Sequence, residues 1–298
     1  MLLLITGSVD GTSDLLVKKL GTDNVFRFNY DLYKDYELEF TPAYWRVVNP
    51  AGHSIDSLSV TTAFWWKAFN FYLQDEDNYI VEEVKYIFRE IYHWCRIKGI
   101  TRGNPHDFHN HMGKLNILNV ASKYFKTPNT LTTFKLLGIN RLGGKSIVAK
   151  SFSSGLTTTN RVLMTTAVEA TKLHPDFPWY LQEKVDSDAD ITIFICGEKL
   201  FAYERDRSKL VGLDWRLEQS FDGTKKEWFR FELSHLEEAK TLNFCKELGV
   251  DWGRIDLMRS TQGDLIFLEY NANGQWVFLD YQRNDGLIDC VAEYISTS

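Results

Sequence analysis

The stretch "RIDLMRSTQGDLIFLEYNANGQ", residues 254–275, holds two runs of strand-forming residues separated by a polar turn. This pattern predicts an antiparallel hairpin. A turn centred on the Gln-Gly pair at 262 and 263 sets Asp256 directly opposite Glu269, because paired positions then have a constant sum. Like charges that face each other across a ladder destabilise it. The pair therefore predicts a cation between the two carboxylates.

A third oxygen-bearing side chain lies on the same face, since Asn271 follows Glu269 by two positions on the strand. Carboxylate and amide oxygens are ligands that suit Mg²⁺, and they leave coordination positions for water and phosphate oxygens. The opposite face is predicted to lie in a core and carries Ile255, Leu257, Leu268 and Tyr270. The alternative is an exposed polar hairpin face that binds no metal.

The composition of the 298 residues is that of an ordinary globular protein, with 44% hydrophobic and 25% charged residues. A net charge of -6 without long basic runs argues against binding to nucleic acid or to an anionic membrane. The opening "MLLLITG" is too short for the apolar region of a signal peptide, and no later stretch has membrane-spanning length. We therefore expect a cytoplasmic protein. The four cysteines are widely spaced, which favours reduced core thiols over disulfides or a zinc site.

Changes of pattern divide the chain into three predicted parts, at 1–110, 111–185 and 186–298. The first part opens with a strand, a turn, a short helix and a second strand, which is a β-α-β unit typical of α/β proteins. Its turn, "GSVDGTS", lacks the phosphate-loop pattern and is interpreted as a turn with a helix cap. The later parts alternate helical segments with strand-rich runs. Gly197-Glu198 predicts a two-residue hairpin between the runs "DITIFIC" and "KLFAYER". Ser234 and Glu237 have capping-box spacing and predict the start of a helix that ends at Gly249.

Positive charge for a phosphate site is available at two lysines. Lys150 ends the run "SIVAK" just before the small-residue segment "SFSSGLTTT", and Lys114 begins a predicted helix. A lysine is a compact charge for phosphate oxygens, and a Ser/Gly segment can offer backbone N–H groups and close over a nucleotide. Taken alone, each lysine also fits an ordinary surface position.

From about residue 104 to 280, the order of these features resembles the ATP-grasp superfamily of carboxylate-activating ligases. The runs "NPHDFHNHMGKLNILNVASKYFKTPNTLTTF", "GLDWRL" and "FLEYNANGQWVFL" are most similar to the ATP-grasp maturases that cross-link graspetide (microviridin-type) precursor peptides. The resemblance implies an α/β (α+β) fold with an N-terminal α/β domain, a central domain and a C-terminal domain. In such a fold, ATP lies between antiparallel sheets. The resemblance also implies a homodimer.

The resemblance further implies roles for individual residues. The ATP-binding residues are Lys114 and Lys150 at the phosphates, Gln182, Glu183 and Val185 at the adenine edge, and Asp190 near the ribose. The Mg²⁺ ligands are Asp256, Glu269 and Asn271. Arg216, in "DWR", resembles the basic residue near the reacting acyl group.

One position departs from the family pattern. The family has Arg in its "D-I-R-V" motif, and Thr192 stands at that position in "DADITIF". An Arg here would stabilise charge on the transferred phosphoryl group. We expect the missing cation to come from Arg205, Arg207 or Arg216.

The implied activity is an ATP-dependent ligase that joins Asp or Glu side chains of a ribosomal precursor peptide to Ser, Thr or Lys side chains. The aromatic runs "FWWKAFNFY" and "LDWRLEQSF" are candidates for a peptide groove, or for packing between domains. Alternatives are a ligase for an amino acid or small amine, a nucleotide-binding partner that only delivers a precursor, and an α/β domain of another role. The run "HDFHNH", with His106, His109 and His111, lacks helical zinc spacing and is interpreted as a loop.

Overall fold

A computed structural model describes residues 1–67, 76–105, 107–143, 146–152, 165–208, 210, 213 and 227–297. These residues form four β-sheets, six α-helices and several short 3₁₀ turns. Within them, no helix combines the length and the apolar character that crossing a membrane requires. All four cysteines are buried and free of disulfide bonds, as their spacing predicted.

The amino-terminal part is a parallel sheet, and one helix connects the first two of its strands along the chain. The strands are β1 (Leu2–Thr6), β2 (Val25–Asn29), β6 (Thr62–Trp65) and β7 (Thr101–Arg102), in the spatial order β2-β1-β6-β7. Helix α1 (Gly11–Leu20) follows β1, and the Asp10 carboxylate accepts a hydrogen bond from the Ser13 amide at 2.7 Å. This is the N-cap arrangement that satisfies a free helix amide. The predicted turn with a helix cap is therefore confirmed.

A small antiparallel sheet and a long helix complete this part. The sheet consists of β3 (Glu37–Phe40), β4 (Trp45–Val48) and β5 (Ser54–Asp56), and the helix is α2 (Asn78–Ile97). The apolar stripe of α2 packs into a core with the parallel sheet through Val84, Phe88, Ile91, Tyr92 and Cys95. Ile87 on the same helix is 38% exposed, because the buried stripe passes through Phe88 instead.

The central part consists of two short helices and a four-stranded antiparallel sheet. The helices are α3 (Phe108–Met112) and α4 (Lys114–Ala121). The strands are β8 (Thr130–Thr133), β9 (Ile147–Lys150), β10 (Thr166–Val168) and β11 (Trp179–Glu183), in the order β10-β9-β11-β8. A small core of Leu142, Ile147, Leu173 and Leu181 stabilises this sheet. Its strands β9 and β11 lie at the centre and carry Lys150 and Gln182.

The carboxyl-terminal part is a five-stranded antiparallel sheet. The strands are β12 (Ser187–Cys196), β13 (Lys199–Asp206), β14 (Phe229–Arg230), β15 (Trp252–Ser260) and β16 (Leu265–Asn271), in the order β14-β13-β12-β15-β16. Only Gly197 and Glu198 separate β12 from β13, as predicted. Helix α5 (His235–Leu248) begins with the predicted Ser234 and Glu237 capping box and ends at Gly249.

The two faces of this sheet have different environments. One face packs against α4 and α5 through a core that includes Ile193, Ile255 and Phe244. The other face is apolar only at the end near Cys196, where its residues join a core with β1 and the last helix, α6 (Leu287–Ser296). At its opposite end this second face turns polar, with Asp190 and Asp256. The apolar half anchors the sheet, and the polar half faces a cavity.

Candidate active site

The hairpin of β15 and β16 brings its two acidic residues together. Asp256 pairs directly with Glu269, as predicted. Nearer the turn, however, Leu257 pairs with Phe267, so the register there is one residue different from the prediction. A β-bulge at Leu268 absorbs the difference and restores the predicted register at the carboxylates. The prediction that Leu268 lies on the core face was wrong, because the bulge turns it toward the cavity.

Asn271 joins the two carboxylates. Its side-chain nitrogen donates to Asp256 Oδ2 at 2.6 Å and to Glu269 Oε1 at 3.3 Å. One atom is therefore within hydrogen-bonding distance of both carboxylates, which means that they converge on one point. A half turn of the amide would direct its oxygen to the same point.

This set of donors fits a magnesium ion. Two carboxylates and an amide supply hard oxygen ligands, and Mg²⁺ is typically held by one or two carboxylates together with water and phosphate oxygens. No group of three or more His, Cys, Asp or Glu side chains forms a metal site within the described parts of the chain. The remaining ligands of a magnesium ion here would thus come from Asn271, water or a bound phosphate.

Two lysines face the carboxylates. Lys150 Nζ donates to Gln182 Oε1 at 3.1 Å, and Lys114 Nζ donates to the backbone oxygen of Ser151 at 3.3 Å. Burial acts to raise the pKa of Glu269, but the charges of Lys150 and Lys114 and the hydrogen bond from Asn271 hold this pKa below its ordinary value. Glu269 is therefore an anion at neutral pH despite its burial.

The cavity lies between the central sheet and the carboxyl-terminal sheet. Most of the residues predicted to bind ATP or magnesium line it, namely Lys150, Gln182, Glu183, Val185, Asp190, Asp256, Glu269 and Asn271. Lys114 lines a smaller adjoining cavity together with Glu269. Val148 and Met258 add apolar surface from the two sheets. The cavity thus combines apolar surface with acidic and basic groups.

Asp190 and Arg207 form a buried ion pair on the cavity wall. Arg207 Nη1 lies 2.6 Å from Asp190 Oδ1, and Nη2 donates to the Leu213 backbone oxygen at 3.0 Å. Burial raises the pKa of Asp190, and the guanidinium of Arg207 opposes that rise. The anionic partner of Arg207 is therefore Asp190 and not Asp256.

Of the other predicted basic residues, Arg205 belongs to the described part of the chain and Arg216 does not. Arg205 is buried beside Glu227, at 3.4 Å, and is not one of the described residues that line the cavity. Arg216 lies outside the described residues, as do residues 153–159 of the small-residue segment, His106, and most of the two aromatic runs. The prediction that the "HDFHNH" run is a loop was wrong, because His109 and His111 lie on helix α3, and His111 contacts the N-cap residue Asp107 of this helix at 3.2 Å.

Sequence reasoning missed Arg254 as a site residue. Its Nη2 donates to Asp256 Oδ2 at 3.0 Å, and its Nε lies 3.0 Å from Asp256 Oδ1. Thr192 Oγ1 lies 2.9 Å from the same Asp256 Oδ1. The signal was present in the sequence "R-I-D", because residues two apart on a strand share a face.

Comparison with known proteins identifies solved structures that have a similar fold. No family model matches the sequence, and no curated protein matches it. Among solved structures, a Chryseobacterium gregarium RiPP-associated ATP-grasp ligase in complex with ADP and a leader and core peptide is similar with a TM-score of 0.83. The two share 22% identity, and the similarity covers 99% of this chain and 96% of that one.

Two further structures are similar over nearly the whole chain. The macrocyclase MdnC bound with precursor peptide MdnA, from Microcystis aeruginosa MRC, has a TM-score of 0.79 at 20% identity and full coverage of both chains. D-cycloserine synthetase DcsG has a TM-score of 0.56 at 12% identity, covering 99% of this chain and 98% of that one. The predicted fold class is confirmed: this chain has the ATP-grasp fold.

Proposed function

We propose that this protein is an ATP-dependent ligase that activates Asp or Glu side chains of a ribosomal precursor peptide and joins them to Ser, Thr or Lys side chains. One observation carries the proposal: Asp256, Glu269 and Asn271 converge in a cavity that Lys150 also lines. An anionic, oxygen-rich point beside a lysine is suited to a magnesium ion and the phosphates that it neutralises. The cavity lies between two antiparallel sheets of an ATP-grasp fold, as the resemblance implied.

We assign the ATP contacts as the family pattern implies. Lys150 and Lys114 would bind phosphate oxygens, Asp190 would lie near the ribose, and Gln182, Glu183 and Val185 would hold the adenine edge. The apolar surface of Val148 and Met258 supports an aromatic base between the two sheets. Magnesium and ADP in a complex of the ATP-grasp ligase PsnB with a variant precursor support the same cofactors here.

In the proposed reaction, a carboxylate oxygen of the peptide attacks the γ-phosphorus of ATP. The bond from that phosphorus to the β-γ bridging oxygen breaks, and ADP leaves. A hydroxyl or amine of the peptide then attacks the acyl carbon, the bond from that carbon to the phosphate oxygen breaks, and the proton of the nucleophile passes to the departing phosphate. A hydroxyl yields an ester and an amine yields an amide. Cationic side chains and magnesium stabilise the charge on the transferred group.

A peptide partner is supported by the similar structures of ATP-grasp ligases and of a macrocyclase, which hold leader, core or precursor peptides. Holding the leader raises the local concentration of the core at the active site. We further propose that the protein acts in the cytoplasm as a homodimer. Light scattering of the purified protein tests the dimer, which would give twice the chain mass of 34.7 kDa.

A second candidate is a ligase that joins an amino acid or a small amine to a free carboxylate. The similarity to D-cycloserine synthetase over 99% of this chain favours it. The ATP and magnesium residues are shared by both candidates, so the acceptor must distinguish them. ADP release that depends on peptide supports the maturase, and ADP release with a small acceptor alone supports the second candidate.

The proposal is tested by co-expression with a candidate precursor peptide and measurement of the intact peptide mass. We expect the loss of one or more waters with the unmodified enzyme and no loss with Asp256→Asn or Lys150→Ala. Matched controls are Asp264→Asn, at the tip of the same hairpin beside Lys126, and Lys172→Ala, a surface lysine beside Glu169. Both controls should process the peptide normally. An unchanged peptide mass with bound ATP and no ADP would instead support a precursor-delivery partner.

A further inference from the structure

The polar half of the carboxyl-terminal sheet presents three side chains from adjacent strands to one point. Thr192 on β12 pairs directly with Asp256 on β15, so their side chains share a face. Arg254 precedes Asp256 by two residues and lies on that face as well. A side chain at position 192 and a side chain at position 254 therefore flank the same carboxylate.

Thr192 has no charge to offer, and it is almost fully buried. Its hydroxyl lies 2.9 Å from Asp256 Oδ1 and 3.2 Å from the Ile255 backbone oxygen. It can therefore hold the carboxylate in position but cannot stabilise a transferred phosphoryl group. The other nearby cations have other partners, since Arg205 on β13 lies beside Glu227 and Arg207, just after β13, pairs with Asp190.

Arg254 is a cation fixed at the edge of the cavity. Nη1 donates to the Gln275 backbone oxygen at 2.7 Å, and Nη2 donates to Asp256 Oδ2 at 3.0 Å. The Gln275 side chain in turn contacts the Thr12 hydroxyl at 3.2 Å, which ties this loop to α1. The guanidinium carbon lies 5.7 Å from the centre of the Phe278 ring. These contacts fix the fork of the guanidinium without using all its donors.

A guanidinium has five N–H bonds. Two of those of Arg254 donate to Gln275 and Asp256, and Nε lies 3.0 Å from Asp256 Oδ1 in the ion pair without a hydrogen bond. Nη1 and Nη2 each keep one further N–H bond that donates to none of the described residues. Arg254 lines the same cavity as Lys150 and Glu269. The planar fork suits phosphate oxygens, which it can bind through two parallel hydrogen bonds.

We infer that Arg254 is the cation that contacts the phosphoryl group during its transfer, in place of the Arg that the family has at position 192. The charge has moved from β12 to the neighbouring strand β15 while keeping its position beside Asp256. This inference rests on the proposed function. It also identifies Thr192 as a positioning residue for Asp256, so the change at 192 is not by itself a loss of the catalytic cation.

The binding test compares Arg254→Ala with the unmodified enzyme, using a non-hydrolysable ATP analogue and ADP, each with Mg²⁺, in a calorimeter. A contact to the transferred group exists only with the triphosphate, so we expect affinity for the analogue to fall about tenfold or more while ADP affinity changes less than about threefold. Equal losses for both nucleotides would overturn the inference, because they would show that Arg254 acts only by holding Asp256.

The activity test uses the same variant with the precursor peptide. Loss of one preorganised donor to a developing charge typically costs about 10²–10³ in rate, and we expect at least the lower figure for Arg254→Ala. The double variant Arg254→Ala with Thr192→Arg should recover a substantial part of that loss, because it returns a cation to the same face. Arg259→Ala is the matched control, since Arg259 lies on β15 but pairs with Glu204 and Asp188.

The outcomes separate the inference from the proposed function. If the unmodified enzyme does not process the peptide, the proposed function fails whatever the variants do. If it does and Arg254→Ala retains its rate within about threefold, the inference alone fails. Should Arg254→Ala not fold, Arg254→Lys makes the same comparison, because lysine keeps the charge and loses the fork. A normal rate and normal analogue affinity in Arg254→Lys together with a normal rate in Arg254→Gln would overturn the inference.

Discussion

Replacing Asp256 with Asn should remove most of the stabilisation that magnesium and ADP give to this protein. Asp256 is held by Arg254, Asn271 and Thr192 and faces Glu269, so it contributes charge and also organises its neighbours. Changes to groups that only support a metal ligand typically cost about 10–100-fold in metal affinity. We expect the loss of this carboxylate to reach about 100-fold.

The magnitude follows from ligand linkage. A ligand present at about 100 times its Kd stabilises the folded state by about 2.7 kcal/mol. After a 100-fold loss of affinity, the same ligand concentration equals the Kd, and the stabilisation falls to about 0.4 kcal/mol. For a chain of this size, each kcal/mol shifts Tm by roughly 2–4 °C. The shift should therefore fall from roughly 5–10 °C to about 1 °C.

The assay is thermal unfolding with and without Mg²⁺ and ADP at one fixed concentration of each. Asp264→Asn, on the same hairpin, is the matched control and should keep the full shift. A chelator should abolish most of the shift in the unmodified protein. If Asp256→Asn keeps the full shift, the assignment of Asp256 to the magnesium site is wrong.

Three further predictions concern single residues. Lys150→Ala should weaken ADP binding in calorimetry by about tenfold, as expected for one lost charged contact, whereas Lys172→Ala should leave it unchanged. Gly253→Ala should destabilise the protein by more than about 3 kcal/mol in urea unfolding. The new Cβ would lie 2.7 Å from the buried Tyr270 ring, and Gly253 has a φ of +132°, so a loss below about 1 kcal/mol would contradict this. Ser234→Ala should cost about 1 kcal/mol through loss of the helix cap, and an unchanged urea midpoint would refute that role.

Sequence patterns were sufficient to predict the features of the fold that depend on contacts between residues close together in the chain. Alternation and turn residues predicted that Asp256 faces Glu269, and the spacing of Ser234 and Glu237 predicted the start of α5. The bulge at Leu268 was not predictable in this way. An extra residue in a strand depends on how the sheet packs, and alternation alone assigns that residue to the wrong face.

The role of Arg254 could be inferred only from the order of the strands in space. β12 pairs with β15, although the two strands are separated in sequence by β13, β14 and α5. Only this pairing sets Thr192 beside Asp256 and shows that a charge from the neighbouring strand reaches the same carboxylate. The packing of α6 against α1 and β6 is likewise a contact between the two ends of the chain. The predicted boundaries at 110 and 185 remain predictions.

The most direct test of ATP-dependent peptide ligation is a single reaction of purified protein, precursor peptide, ATP and Mg²⁺. In this reaction the amount of ADP and the mass of the peptide are followed together. We predict that each water lost from the peptide is accompanied by one ADP, and that neither product forms when peptide, ATP or Mg²⁺ is omitted. Water loss without ADP, or ADP formation that does not depend on the peptide, would contradict an ATP-dependent peptide ligase.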